Sequence, residues 1–183
     1  MRKFLSFAVT VCMLLLLFPD IADCRQNGNL YETLKPCAEI KVYVEDVRDS
    51  CPVQRADVET LKVILQDALA TRISLNFELE FQKASADIVI SCDVTEFLWT
   101  DRDPAGDLAG SGMGLLDVAL RENYARMEAT FTVQDQENGA ELWSKRLKAT
   151  ITNKEMSEPD SVFMLNERIV KIFMRECFGK SHG

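Results

Sequence analysis

Histidine is almost missing from this chain: the only one, His182, stands next to the C-terminal residue of 183. A nucleophile triad needs an imidazole held among packed elements, so serine- or cysteine-based hydrolysis is not expected. The cysteines contain no C-x-x-C pair, which removes the usual framework of a structural zinc site. Asp101 and Asp103 are not followed by the further ligands of an EF-hand, so calcium is not expected either. Positive charge is in deficit, with 21 Lys and Arg against 29 Asp and Glu and a formal net charge of −8, and an acidic surface disfavours nonspecific nucleic-acid binding. The expectation is a protein without catalytic residues, cofactor, metal or nucleic-acid partner.

What is present begins with an address. Arg2 and Lys3 precede an uncharged, mostly apolar run from Phe4 to Phe18 that Pro19 and Asp20 end abruptly. That is the shape of a secretory signal, and it falls short of the ~20 residues that span a bilayer as a permanent helix. Ile21-Ala22-Asp23-Cys24 resembles a bacterial lipobox, in which the cysteine is lipidated and becomes the new N-terminus. A plain signal-peptidase site is the alternative, although Asp20 and Ala22 fit its A-x-A rule only in half. Residues 1–23 are thus expected to be removed, Cys24 to be the lipidation site, and 24–36, rich in Asn, Gly, Gln and Pro, to form a tether.

Lipidation of Cys24 leaves Cys37, Cys51, Cys92 and Cys177, an even number that suits disulfides in an oxidising compartment. Buried free thiols are the competing reading, since connectivity cannot be deduced from spacing. The remaining chain is long enough for one domain, expected over residues 37–180, with its own core.

Alternation of apolar and polar residues predicts a strand over Ala38–Val47, a short one over Phe77–Phe81 and a longer one over Ala86–Trp99. In the last of these, Ala86, Ile88, Ile90, Cys92 and Val94 share one parity while Phe97 and Trp99 take the other, so a bulge is expected near Thr95 and Glu96. Ala125–Val133 and Glu141–Thr152 alternate cleanly around Asn138-Gly139, the signature of an antiparallel hairpin. Two helices are expected. One is capped by Asp57, runs to about Ser74 and carries a stripe of Val58, Leu61, Leu65, Ala68 and Leu69. The other opens at Ser157-Glu158-Pro159-Asp160, carries Val162, Leu165, Ile169, Ile172 and Phe173, and ends at Gly179. The order β-α-β-β-β-β-α implies an α+β fold: a two-layer sandwich with an antiparallel sheet of four or five strands and two helices on one face.

Between Thr100 and Asn123 lies a long Gly-containing connection with an apolar patch that includes Leu115, Leu116, Val118 and Leu120. Gly110-Ser111-Gly112 is not followed by the crossover helix and parallel strand that a dinucleotide site requires. Long loops in small domains often carry function, so this one is a candidate partner contact.

Ala86-Asp87-Ile88-Val89-Ile90, Val94-Thr95-Glu96-Phe97, the strand Tyr124 to Gln134 and Gly139-Ala140-Glu141-Leu142-Trp143 together resemble the lipopolysaccharide-assembly lipoprotein (LptE) family. The resemblance spans roughly Cys24 to Gly179. It implies a noncatalytic plug or partner of the outer-membrane β-barrel that inserts lipopolysaccharide, held on the periplasmic side of the outer membrane by a lipid anchor. Leu115, Leu116, Arg121, Lys145, Arg146 and Lys148 are then the expected contacts to the barrel wall or lipopolysaccharide. Curli-secretion (CsgG-like) proteins and activators of penicillin-binding proteins share the strand–helix–strand opening and lipidated start, and imply instead a lipoprotein that binds and regulates a partner protein. A soluble periplasmic location is the alternative to the anchored one.

Overall fold

The computed structural model describes residues 29–52, 56–100, 123–153 and 157–179. The signal, Cys24, Leu115, Leu116 and Arg121 lie outside the described residues. In chain order the elements are α1 (Tyr31–Leu34), β1 (Ile40–Val44), β2 (Arg48–Asp49), α2 (Val58–Ala70), β3 (Phe77–Leu79), a single 3₁₀ turn (Lys83–Ser85), β4 (Ile88–Thr100), β5 (Asn123–Asp135), β6 (Glu141–Asn153) and α3 (Glu158–Phe178). The strands form one sheet ordered β3-β1-β4-β5-β6, with β2 continuing the line of β1 along the same strand β4.

The α+β class and the two-layer build agree with the sequence. Direction differs in one half of the sheet: β4, β5 and β6 are antiparallel, whereas β1 pairs parallel with both β3 and β4. The cause is the connection. α2 separates β1 from β3 and returns the chain to the same end of the sheet, and a strand reached through such a crossover pairs in parallel.

Local chemistry sets the element ends. Asp57 accepts a hydrogen bond from the Thr60 amide at 3.0 Å and caps α2, satisfying one of its orphan N–H groups. Ser157 does the same for α3 through Asp160, with Pro159 in the first turn. Gly139 holds a φ of +70° in the β5–β6 turn, where Asp135 and Asn138 side chains accept turn amides. Gly179 ends α3 without a positive φ; a Cβ there would collide with the Arg175 carbonyl.

The expected bulge falls between Val94 and Glu96, where the β4–β5 register shifts. Its effect is visible downstream: Phe97 pairs with Met127 and Trp99 with Ala125, so both rings rejoin the helix-covered face that Ile90, Cys92 and Val94 occupy. That face meets Leu61, Leu65 and Leu69 of α2 and Leu165, Ile169, Phe173 and Cys177 of α3 in one apolar core. Phe173 is its centre. It stacks on Phe131 at 4.5 Å and meets Trp143 and Phe178 edge-on at 5.5 Å.

Two further expectations are corrected. The supposed tether is in part structure: Leu30, Tyr31 and Leu34 are buried, Leu30 N–H donates to the Cys177 carbonyl at 2.6 Å, and Asn29 donates to the Gly179 carbonyl. The apolar residues of this segment pack against a helix end distant in sequence, which no local periodicity reveals. The disulfides are absent: Cys37, Cys51, Cys92 and Cys177 are free thiols. Three of them lie in the core as small apolar side chains, while Cys37 is exposed.

Candidate interaction surface

β5 alternates between two environments. Ala125, Met127, Ala129, Phe131 and Val133 point to the helices, so Arg126, Glu128, Thr130 and Thr132 point to the opposite face, which among the described residues is left open by the helices. Register places Glu96 of β4 and Lys148 of β6 on either side of Glu128, and Asp93 and Arg146 on either side of Thr130. These cross-strand neighbours bring together charges that lie far apart in sequence.

Glu128 is the one buried charged residue among the described residues, at 8% exposure. A carboxylate so placed must be compensated. Arg126, two residues away on the same strand face, donates to one of its oxygens, and Arg146 from β6 approaches the other at 2.7 Å. Arg126 also reaches Glu96 at 3.2 Å. The hydrogen bond from Arg126 holds the Glu128 carboxyl below the ordinary glutamate range, outweighing the opposing effect of burial, with the charges of Arg126, Arg146 and Lys148 adding to it. The same bond raises Arg126. Both Glu128 oxygens are therefore occupied by arginines. With its pKa lowered, the Glu128 carboxyl stays charged at neutral pH and the cluster holds fixed charges in place.

The structure separates the three cations singled out on β6. Arg146 and Lys148 lie on the open face beside Glu128, whereas Lys145 turns to the helix side and pairs with Glu176 of α3 at 3.1 Å. Arg146 keeps 60% of its side chain exposed despite its ion pair. β6 is also an edge of the sheet, and no acidic residue follows Glu141 along it. The outcome is a basic strip on the rim of an acidic protein. Charged residues of this kind blunt an edge against uncontrolled strand addition and leave it open to an anionic partner.

Sequence reasoning missed Glu96, Arg126 and Glu128. They read only as polar positions of alternating strands, and their meeting depends on register across β4, β5 and β6. On the opposite layer a cleft of about 760 Å³ lies between α2 and α3 and includes Ile64, Ala68, Arg72, Met164, Lys171 and Met174. Arg72 reaches from this cleft to the carbonyls of Met174, at 3.4 Å, and Phe178, which ties the end of α2 to the last turn of α3. Burial lowers its guanidinium below the usual arginine range.

The thiols are shielded. Burial raises the Cys51 thiol to about 12, and Cys92 and Cys177 are pushed up further by the same cause. Thiols so raised are protonated and unreactive at neutral pH. Among the described residues no group of His, Cys, Asp and Glu is arranged to hold a metal ion, and no helix is long and apolar enough to cross a membrane.

No protein-family model matches the chain, and no curated protein matches it in sequence. Solved structures do share its architecture. A hypothetical protein from Chlamydia trachomatis is 10% identical over 79% of this chain and 100% of that one, with a TM-score of 0.52. A PelC dodecamer from Paraburkholderia phytofirmans is 14% identical over 78% of this chain and 90% of that chain, at a TM-score of 0.49. A minor lipoprotein from Acinetobacter baumannii is 15% identical over 79% and 92%, at 0.44. The first likeness establishes a shared fold; the other two are looser.

Proposed function

We propose that this chain is an exported bacterial envelope lipoprotein that works without catalysis, by binding a partner through the open face and β6 rim of its sheet. The observation that carries this reading is the pinned cluster at Glu128: two arginines fixed on one carboxylate, with Lys148 beside them and Arg146 still largely exposed. Such preorganised cations favour an anionic surface at little cost in ordering. The N-terminal signal and Cys24 supply the address and the anchor, and the several acyl chains of a bacterial lipoprotein hold durably where one chain would not.

The finer assignment is partner or plug of the β-barrel that inserts lipopolysaccharide, supported by the strand motifs that resemble the LptE family and by a cationic strip suited to lipid phosphates. Affinity purification of the full-length protein from membranes, with mass spectrometry of the copurified proteins and of the N-terminal peptide, tests both levels. An acylated Cys24 with a β-barrel partner that is lost on Arg146→Glu with Lys148→Glu is the expected result. A peptidoglycan synthase in place of the barrel would replace the finer assignment, and an unmodified N-terminus in the soluble fraction would overturn the anchored reading.

A further inference from the structure

We infer that the pole of the domain carrying Asn29, Ile73 and Gly179 lies against the bilayer, with Ile73 as its lipid-contacting side chain. This rests on the proposed lipidation of Cys24 and goes beyond it by fixing which end of the molecule meets the membrane.

The geometry starts from the docked N-terminal segment. Asn29 donates to the Gly179 carbonyl and accepts from the Tyr31 amide, Leu30 bonds to the Cys177 carbonyl, and Leu30, Tyr31 and Leu34 are buried. The chain therefore becomes part of the folded body at Asn29. Only Arg25 to Gly28 separate that point from Cys24, and five residue steps reach at most about 18 Å when fully extended. A tether running to Pro36 would reach about 40 Å by the same measure, more than twice as far.

The neighbours of Asn29 define the pole. Arg72 bonds to the Phe178 carbonyl at the end of α3, and the next residue, Ile73, is fully exposed. The Phe77 ring lies 5.1 Å from that of Phe178, which brings the start of β3 to the same end, and Asn76 accepts from the Ile40 amide at the start of β1. The opposite pole holds Thr100, Tyr124 and Thr152, which sit side by side in register. β4 extends from Ile88 to Thr100, a distance of roughly 40 Å at the usual rise per residue. That exceeds the reach of the tether about twofold. A large aliphatic side chain left bare beside a short membrane tether has a ready apolar environment, since interfacial burial of such groups reaches about 5–10 Å into the headgroup and acyl boundary.

The test uses the full-length protein purified in its membrane-processed form, reconstituted into vesicles of phosphatidylethanolamine and phosphatidylglycerol. In a Cys37→Ser background the remaining described thiols are buried, so an environment-sensitive fluorophore can be placed singly by Ile73→Cys or Thr152→Cys. Quenching by spin-labelled lipids should be at least about threefold stronger at position 73 than at 152, with a blue-shifted emission at 73 alone. Equal quenching at both sites, or stronger quenching at 152, in protein whose Cys24 is acylated by mass would overturn the inferred orientation and leave the anchor intact. An unacylated Cys24 with no vesicle binding would overturn the anchor and the orientation with it.

Discussion

Phe131 of β5 and Phe173 of α3 stack with ring centroids 4.5 Å apart and planes 14° from parallel, both fully buried. The contact joins the sheet to its covering helix at the point where Trp143 and Phe178 also converge on Phe173. Phe173→Ala should therefore remove three aromatic contacts at once and leave a cavity, destabilising the protein by about 3–5 kcal/mol. At about 2–4 °C per kcal/mol for a chain of this size, the thermal midpoint should fall by roughly 6–20 °C. Phe163, half exposed on the same helix, is the control: Phe163→Ala should change stability by less than about 1 kcal/mol. Chemical unfolding of both variants decides it, and equal effects would mean that α3 does not sit on the sheet through Phe173.

The Glu128 cluster makes an acid-side prediction. Its carboxyl is held below the ordinary value of 4.5 by Arg126 in the folded protein, so the unfolded chain takes up the proton first as pH falls. The stabilisation is complete above about pH 4.5 and is lost as pH drops through the lower folded value. Glu128→Gln should cost about 1–2 kcal/mol at pH 7, because Arg126 and Arg146 lose a charged acceptor, and should flatten the acid decline. Denaturant midpoints for both proteins between pH 7 and pH 3 measure it. Parallel curves would show that the ion pairs contribute nothing to folding.

On the alkaline side the buried thiols contribute. Cys92 and Cys177 are raised well above the ordinary cysteine value of 9.0, so above pH 9 the unfolded chain releases protons that the folded protein retains. Stability must fall with rising pH, by up to about 1.4 kcal/mol per pH unit for each such thiol. Cys92→Ala should remove its own share of that slope between pH 9 and 10.5, and the comparison with the parent cancels every other titrating group. A thiol reagent at neutral pH should modify Cys37 and spare Cys51, Cys92 and Cys177 until denaturant is added. Protection that disappears on reduction instead would restore the disulfides that the even number of cysteines first suggested.

How far the sequence could be read follows from what each feature depends on. The Asp57 and Ser157 caps, the Gly139 turn and the bulge after Val94 are set by a few neighbouring residues, and all were legible. Strand direction was not, because Ile40, Val42 and Val44 alternate identically in a parallel or an antiparallel pair; only the intervening α2 carried the clue. The interaction surface was half legible. Arg146 and Lys148 stood out as cations on a strand, but Glu128, which pairs with Arg146, is indistinguishable from Glu141 until three strands are placed in register. The cysteines misled because an even count fits disulfides and hydrophobic burial alike.

The N-terminal segment was the largest misreading, and it supplies the sharpest remaining test. If residues 29–36 were a tether, shortening Leu30 to alanine would cost nothing, since a solvated chain gains no stability from a side chain. In the structure Leu30 is 4% exposed, sits in the main core cluster and donates its amide to the end of α3. Leu30→Ala should thus cost about 2–3 kcal/mol, toward the low end for a buried leucine because a terminal segment can relax into the space. Tyr31→Ala should cost a similar amount, and Glu32→Ala, exposed on the other side of the same turn, less than about 0.5 kcal/mol. Hydrogen exchange offers an independent measure: the Leu30 amide should be protected in the parent protein and exchange freely in Tyr31→Ala, where the segment detaches. A parent protein with an unprotected Leu30 amide would return the full length of the tether and free the domain to rotate above its anchor.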